Sequence, residues 1–179
     1  LIRQDQIVRW SSVPMRDPGF HQPFPVQLDL TAGRHELSFT LYQGALYLGS
    51  LYLTPFAELP TYADYLKAHT APDAAGALIT LEAEHASFKD DTSVRPVSSR
   101  SQEVTPYDTY RLLLNTLGGE SWKRSGSGVY YEFEAPQDGM YAVTLRAIQN
   151  TESNFTVFRR ITVNGEVPFA ELNAAPFTY

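Results

Sequence analysis

Apolar and polar residues alternate along much of this chain, which is the pattern of half-buried β-strands. The alternation is clearest in residues 24–41, where residues 31–34 supply a turn between two alternating runs. Asn164-Gly165 is a strong hairpin signal, because both residues tolerate positive φ. The same patterns predict further strands at residues 6–10, 44–53, 77–83, 129–134, 141–148 and 157–163, with a last strand-like run at 173–179.

One segment follows the helical period instead. Thr61 is placed to cap a helix that begins at Tyr62, and Asp64 completes a pattern similar to a capping box. Helical spacing then puts four side chains on one face: Tyr62, Tyr65, Leu66 and His69. We therefore predict an all-β sandwich with one short helix, which lies in a connection between two β segments.

Composition narrows the class of protein. Hydrophobic residues make up 43% of the chain, enough for a folded core, and there is no cysteine for disulfides or thiolate metal sites. A net charge of -6 without a basic run argues against nucleic-acid binding. No apolar run approaches the roughly 18 residues of a membrane span, so we expect no membrane insertion. Both ends fall in strand-like sequence, and we expect the chain to be a piece of a larger protein.

Two stretches carry a resemblance to a known family. Residues 79–88 read ITLEAEHASF, and residues 128–150 read GVYYEFEAPQDGMYAVTLRAIQN. They resemble the opening and central strands of galactose-binding-like jelly rolls, above all the family 6 and family 35 carbohydrate-binding modules. The matching positions are Glu82-Ala83-Glu84, Tyr131 to Pro136, Gly139-Met140-Tyr141 and Arg146. The resemblance implies a jelly-roll β-sandwich.

Residues 26–53 resemble the closing strands of the same modules, with Gly33, His35 and Leu37 in the matching places. The segment that resembles the end of a module therefore comes before the segment that resembles the beginning of one. We expect residues 1–57 to be the C-terminal half of one jelly roll, 58–76 a helical linker, and 77–179 the N-terminal part of the next.

We expect these two halves to share one core, as a circularly permuted jelly roll within a monomer or across a domain-swapped dimer. Half a sandwich alone would leave an apolar sheet face and open edges in water. The side chains predicted to form this core are Val26, Leu28, Leu37, Phe39, Leu51, Leu81, Tyr131, Phe133, Val143 and Leu145.

Residues 112–122 (LLLNTLGGESW) and 159–171 (RRITVNGEVPFAE) are similar to segments of a particular group of proteins. These are large extracellular solute-binding lipoproteins of ABC transporters in Gram-positive bacteria, which carry such modules in tandem. The resemblance implies an extracellular location, tethered to the cell envelope through the parent protein. It implies a non-catalytic carbohydrate-binding module with an oligosaccharide or polysaccharide as partner. The alternative is a structural or protein-interaction spacer domain.

Glu82 and Glu84 lie two residues apart on a predicted strand, so their side chains project from one face. In the resembled families the matching glutamates help to bind a structural calcium ion, together with an aspartate of the closing strand. Here Gly49-Ser50 stand where that aspartate is expected. Calcium takes six to eight oxygen ligands, so the pair needs further partners. The alternative is a pair of carboxylates that face water.

Aromatic residues are the other candidate signal, because sugar rings stack on them while polar neighbours bond the hydroxyls. The predicted sugar-binding residues are Trp122, Tyr107, Tyr110, Asn115, Arg124, Asn150 and Phe155. Trp122 has a core position as its alternative, since sandwiches also bury aromatic rings.

We predict no enzyme activity. A glycosidase needs two carboxylates that face each other across the substrate, whereas Glu82 and Glu84 face the same way. The four histidines show no metal-ligand spacing, and the segment TLGGES lacks the lysine of a phosphate-binding loop.

Overall fold

A computed structural model of the chain describes residue 10 and residues 12–17, 24–149 and 155–178. Contacts divide the chain into two compact units, Leu1–Leu59 and Pro60–Tyr179. Most of the strand predicted at residues 6–10, and the predicted ligand residue Asn150, lie outside the described residues.

In the first unit, residues 24–59 form neither helix nor strand. The strands predicted at residues 24–41 and 44–53 are therefore not formed, because alternation yields a strand only where another backbone pairs with it. The predicted turn is present as a bend, with Gly33 at a φ of 146°. A ring nitrogen of His35 lies 2.8 Å from the carbonyl oxygen of Thr31 and braces that bend.

The second unit begins with the predicted helix, α1 (Tyr62–Ala68). Thr61 caps it, accepting the backbone N–H of Asp64 at 3.2 Å, so the helix prediction is confirmed. The carboxylate of Glu171 accepts the N–H of Tyr62 at 3.0 and 3.1 Å, and the rings of Tyr62 and Tyr65 pack on Phe169. The helix is thus docked on a distant part of its own unit.

Among the described residues, three two-stranded antiparallel sheets follow. Their strands are β1 (Phe88–Lys89), β2 (Pro96–Val97), β3 (Thr116–Leu117), β4 (Val129–Tyr130), β5 (Thr156–Arg159) and β6 (Ala175–Thr178). β1 pairs with β4, β2 with β3, and β5 with β6. The described residues thus contain short antiparallel strand pairs and few helical residues, and they do not form a helical bundle.

The predicted strand segments have mixed outcomes. β4 and β5 occupy the beginnings of two predicted strands, and β6 lies in the strand-like run at the end of the chain. Residues 141–148 do not form the predicted strand. The Asn164-Gly165 turn is confirmed, with φ of 53° and 86°. Val163 and Glu166 exchange both backbone hydrogen bonds across it, at 2.8 and 3.1 Å.

The strand predicted over residues 77–83 is wrong, which corrects the placement of the two glutamates. Ala83–His85 form a 3₁₀ helix instead, because the N–H of His85 donates to the carbonyl of Glu82 at 3.0 Å. Glu82 and Glu84 therefore do not lie on one strand face.

Burial is sparse within the part of the chain that the structure describes. Val94 is the fully buried apolar side chain and Asn115 the buried polar one. The side chains predicted to form the shared core are 45% to 79% exposed, apart from Tyr131, which is half-buried. A core that joins the two halves stays a prediction. None of the described helices has both the length and the apolar composition needed to cross a membrane.

Candidate functional site

The candidate site is an open cleft of about 480 Å³ in the second unit, lined by residues 90–92 and 124–127. The pairing of β1 with β4 brings these segments together, because Asp90 directly follows β1 and Gly128 directly precedes β4. The carboxylate of Asp90 accepts the N–H of Gly128 and the hydroxyl of Tyr130. A Cβ at Gly128 would lie 2.9 Å from that carboxylate, so a larger residue there would displace the Asp90 side chain.

Asp91 and Arg124 place opposite charges in the cleft. The backbone N–H of Ser93 donates to Asp91 Oδ1 at 2.8 Å. Hydrogen bonds from Ser93 hold the pKa of the Asp91 carboxyl below its usual value, with a smaller contribution from the Arg124 guanidinium. Arg124 lies 3.4 Å from Asp91 Oδ2 and its side chain is 75% exposed. The Asp91 side chain is only 12% exposed, so Arg124 is the charged group of this pair that can offer hydrogen bonds to a polar ligand.

Trp122 braces the loop that carries Arg124. Its indole Nε1–H donates to the carbonyl of Ser127 at 3.0 Å, and its side chain is half-buried. A Cβ at Gly118 would lie 3.1 Å from the Trp122 side chain. Gly118 also has a φ of 101°, a conformation that favours glycine. The local sequence thus fixes the indole behind the rim of the cleft.

The guanidinium of Arg159, at the end of β5, lies over the indole, 4.8 Å from its centroid. Burial lowers the pKa of Arg159 from its usual value. Arg159 is not among the residues predicted from the sequence. Two adjacent arginines inside a largely apolar strand segment, VFRRITV, are the signal that could have indicated it.

Asn115 is a predicted sugar-binding residue, but its side chain is buried and bonded within the fold. It is buried and its amide is fully engaged, accepting the N–H of Ser99 at 2.7 Å and donating to the carbonyls of Ser99 and Pro106 at 3.0 and 2.9 Å. These bonds tie two loops to β3, which makes Asn115 a residue that supports the fold around the site.

The remaining predicted residues are spread over the surface. Tyr107, Tyr110 and Phe155 are exposed, and among the described residues no ring contact joins them to Trp122. Asp108 shapes the loop of Tyr110 by accepting the N–H groups of Tyr110 and Arg111 at 2.7 and 2.8 Å. The structure therefore brings Trp122 and Arg124 to one place and leaves these three aromatic rings apart.

The predicted calcium ligands meet only part of what the ion needs. Glu84 Oε2 is buried without a hydrogen-bond partner, which suits a cation ligand, and Glu82 Oε1 lies 3.4 Å from the Thr105 hydroxyl. Within the described ranges, however, no group of three or more acidic or histidine side chains could hold a metal. Since two carboxylates fall short of six to eight oxygens, a calcium ion here stays a prediction.

Tyr131 lies beside this pair and donates its hydroxyl to the Ala83 carbonyl at 2.8 Å. Burial raises the pKa of Tyr131, and the negative charge of Glu84 raises it further. The hydroxyl therefore remains a donor at neutral pH.

Comparison of the chain with protein-family models, with curated proteins and with solved structures gives no match.

Proposed function

We propose that this chain is a non-catalytic carbohydrate-binding module of a secreted bacterial envelope protein, with a jelly-roll architecture when its two halves are paired. The observation that carries the proposal is the open polar cleft at residues 90–92 and 124–127, with an indole fixed behind its rim. Of the predicted sugar-binding residues, Arg124 lines this cleft and Trp122 braces the loop that carries Arg124.

The chemistry of the cleft suits a sugar chain. Sugar hydroxyls both donate and accept hydrogen bonds, and hydrogen bonds to ionised groups are stronger than those between neutral groups. The exposed guanidinium of Arg124 can donate to sugar hydroxyls, while the largely buried Asp91 forms an ion pair with it at 3.4 Å. An open cleft also admits an internal segment of a polysaccharide, which a closed cavity would not.

Affinity electrophoresis in gels that contain soluble polysaccharides tests this function. At least one polysaccharide is expected to retard the chain, and Arg124→Ala should weaken that binding about tenfold, or about 1.4 kcal/mol. Lys123→Ala is the matched control, because Lys123 is equally exposed and pairs with Glu120 instead of Asp91. If a broad panel gives no retardation, the chain is better explained as a spacer domain of an envelope lipoprotein.

A further inference from the structure

Arg159 is a half-buried cation that covers the Trp122 ring. Within the described residues, no aspartate or glutamate lies at ion-pair distance from it. Its guanidinium covers the Trp122 ring and donates to the carbonyl of Phe158 at 2.9 Å. A guanidinium has five N–H donors in a planar fork, so donors remain for an outside acceptor.

Burying a charge without a partner is unfavourable, and the aromatic face compensates only part of that cost. A guanidinium held over one face of an indole can still form a bidentate bond to a carboxylate through its N–H groups. The ring face under Arg159 is taken, so a sugar would meet the edge of the guanidinium and not that face of the indole.

We propose that Arg159, held by Trp122, recognises the carboxylate groups of an acidic polysaccharide. The inference rests on the proposed carbohydrate-binding function and names its ligand class. Arg124, on the loop that Trp122 braces, carries a second positive charge, which Asp91 partly balances at 3.4 Å. Because the chain carries a net charge of -6, general electrostatics would repel such a polymer, and its binding depends on these local cations.

Two forms of one polymer test the proposal: polygalacturonate and its fully methyl-esterified form, which lacks the charges. The unaltered chain should bind polygalacturonate at least tenfold more tightly. Arg159→Gln should abolish that preference, and Arg159→Lys should keep only part of it, since lysine offers a point charge without the planar fork. Arg160→Gln is the control, because it removes the same charge from the exposed neighbouring position.

The outcomes separate this inference from the function on which it rests. Binding of the esterified polymer without preference for the charged one overturns the inference and leaves the proposed function intact. If Arg159→Gln weakens the binding of both polymers equally, the inference is also overturned, because Arg159 would then only support Trp122. If Arg160→Gln loses the preference for polygalacturonate to a similar extent, the preference comes from general electrostatics, and the inference is overturned as well. If neither these polymers nor a wider panel binds, the proposed function fails together with the inference.

Discussion

Residues 24–59 of the first unit and residues 88–130 of the second both contain runs of apolar residues, yet only the second region forms strands. There, Phe88 lies opposite Tyr130 and Val97 opposite Thr116, across long stretches of sequence. Residues 24–59 form no strand, and their apolar side chains stay largely exposed. Alternation therefore shows which side chains would share a face, while a partner backbone decides whether the strand forms.

Side-chain hydrogen bonds explain part of this difference. In the second region, Asp90 binds Gly128 across 38 positions and Asn115 binds Ser99 across 16, so polar side chains hold distant segments together. In residues 24–59, the bond between His35 and Thr31 spans four positions and braces only its own bend. The rings of Phe24 and Phe56 also meet across this region, with centroids 5.7 Å apart, but no strand pairing accompanies the contact. The shared-core prediction would supply a strand partner for this region.

The largest expected effect comes from separating the two regions. If residues 24–53 complete the core of the second half, residues 77–179 alone should expose an apolar face and self-associate or melt without cooperativity. Light scattering after gel filtration and calorimetry would measure this, with the full chain at the same concentration as control. A soluble monomer of residues 77–179 with an undiminished cooperative transition would contradict the shared core.

A smaller effect is expected from the buried side chain of the second region. Val94 is fully buried, and Val94→Ala should lower the free energy of unfolding by about 2 kcal/mol, because it removes methyl groups and leaves a cavity. Val163→Ala is the matched control at an exposed position of the same unit, outside the predicted core, with an expected change below about 0.5 kcal/mol. Equal effects in chemical denaturation would show that Val94 is not the centre of this core.

Features that depend on neighbouring residues could be predicted from the sequence. The Thr61 cap and the Asn164-Gly165 turn are correct because each is set within about four positions. The strands at residues 24–53 and 141–148 fail because their formation depends on distant backbone. At the candidate site, Trp122 and Arg124 were named, but the contact that brings Arg159 over Trp122 joins residues far apart and leaves no short motif.

The cap of α1 tests whether such a locally determined feature contributes to stability, with an expected loss of about 1 kcal/mol in the free energy of unfolding. Thr61→Ala removes the oxygen that accepts the N–H of Asp64, so it should lower stability by about 1 kcal/mol. Thr109→Ala, at an exposed position of the same unit, is the control. The loss should appear as faster amide exchange in α1. Unchanged exchange there would mean that Glu171 and Phe169 hold the helix without its cap.

The smallest expected effect concerns the titration of Asp91. Bonds from Ser93 lower its folded-state pKa, so Asp91 contributes stability above its unfolded pKa of about 4, and this is lost as pH falls through the lowered value. Carboxyl carbon shifts followed by NMR should show the lowered pKa. Ser93→Ala keeps the backbone N–H bond and removes the side-chain bond, which outweighs the charge of Arg124, so it should raise the pKa more than Arg124→Gln does. The opposite order would mean that the cation across the cleft lowers the pKa of Asp91 more than the Ser93 hydroxyl does.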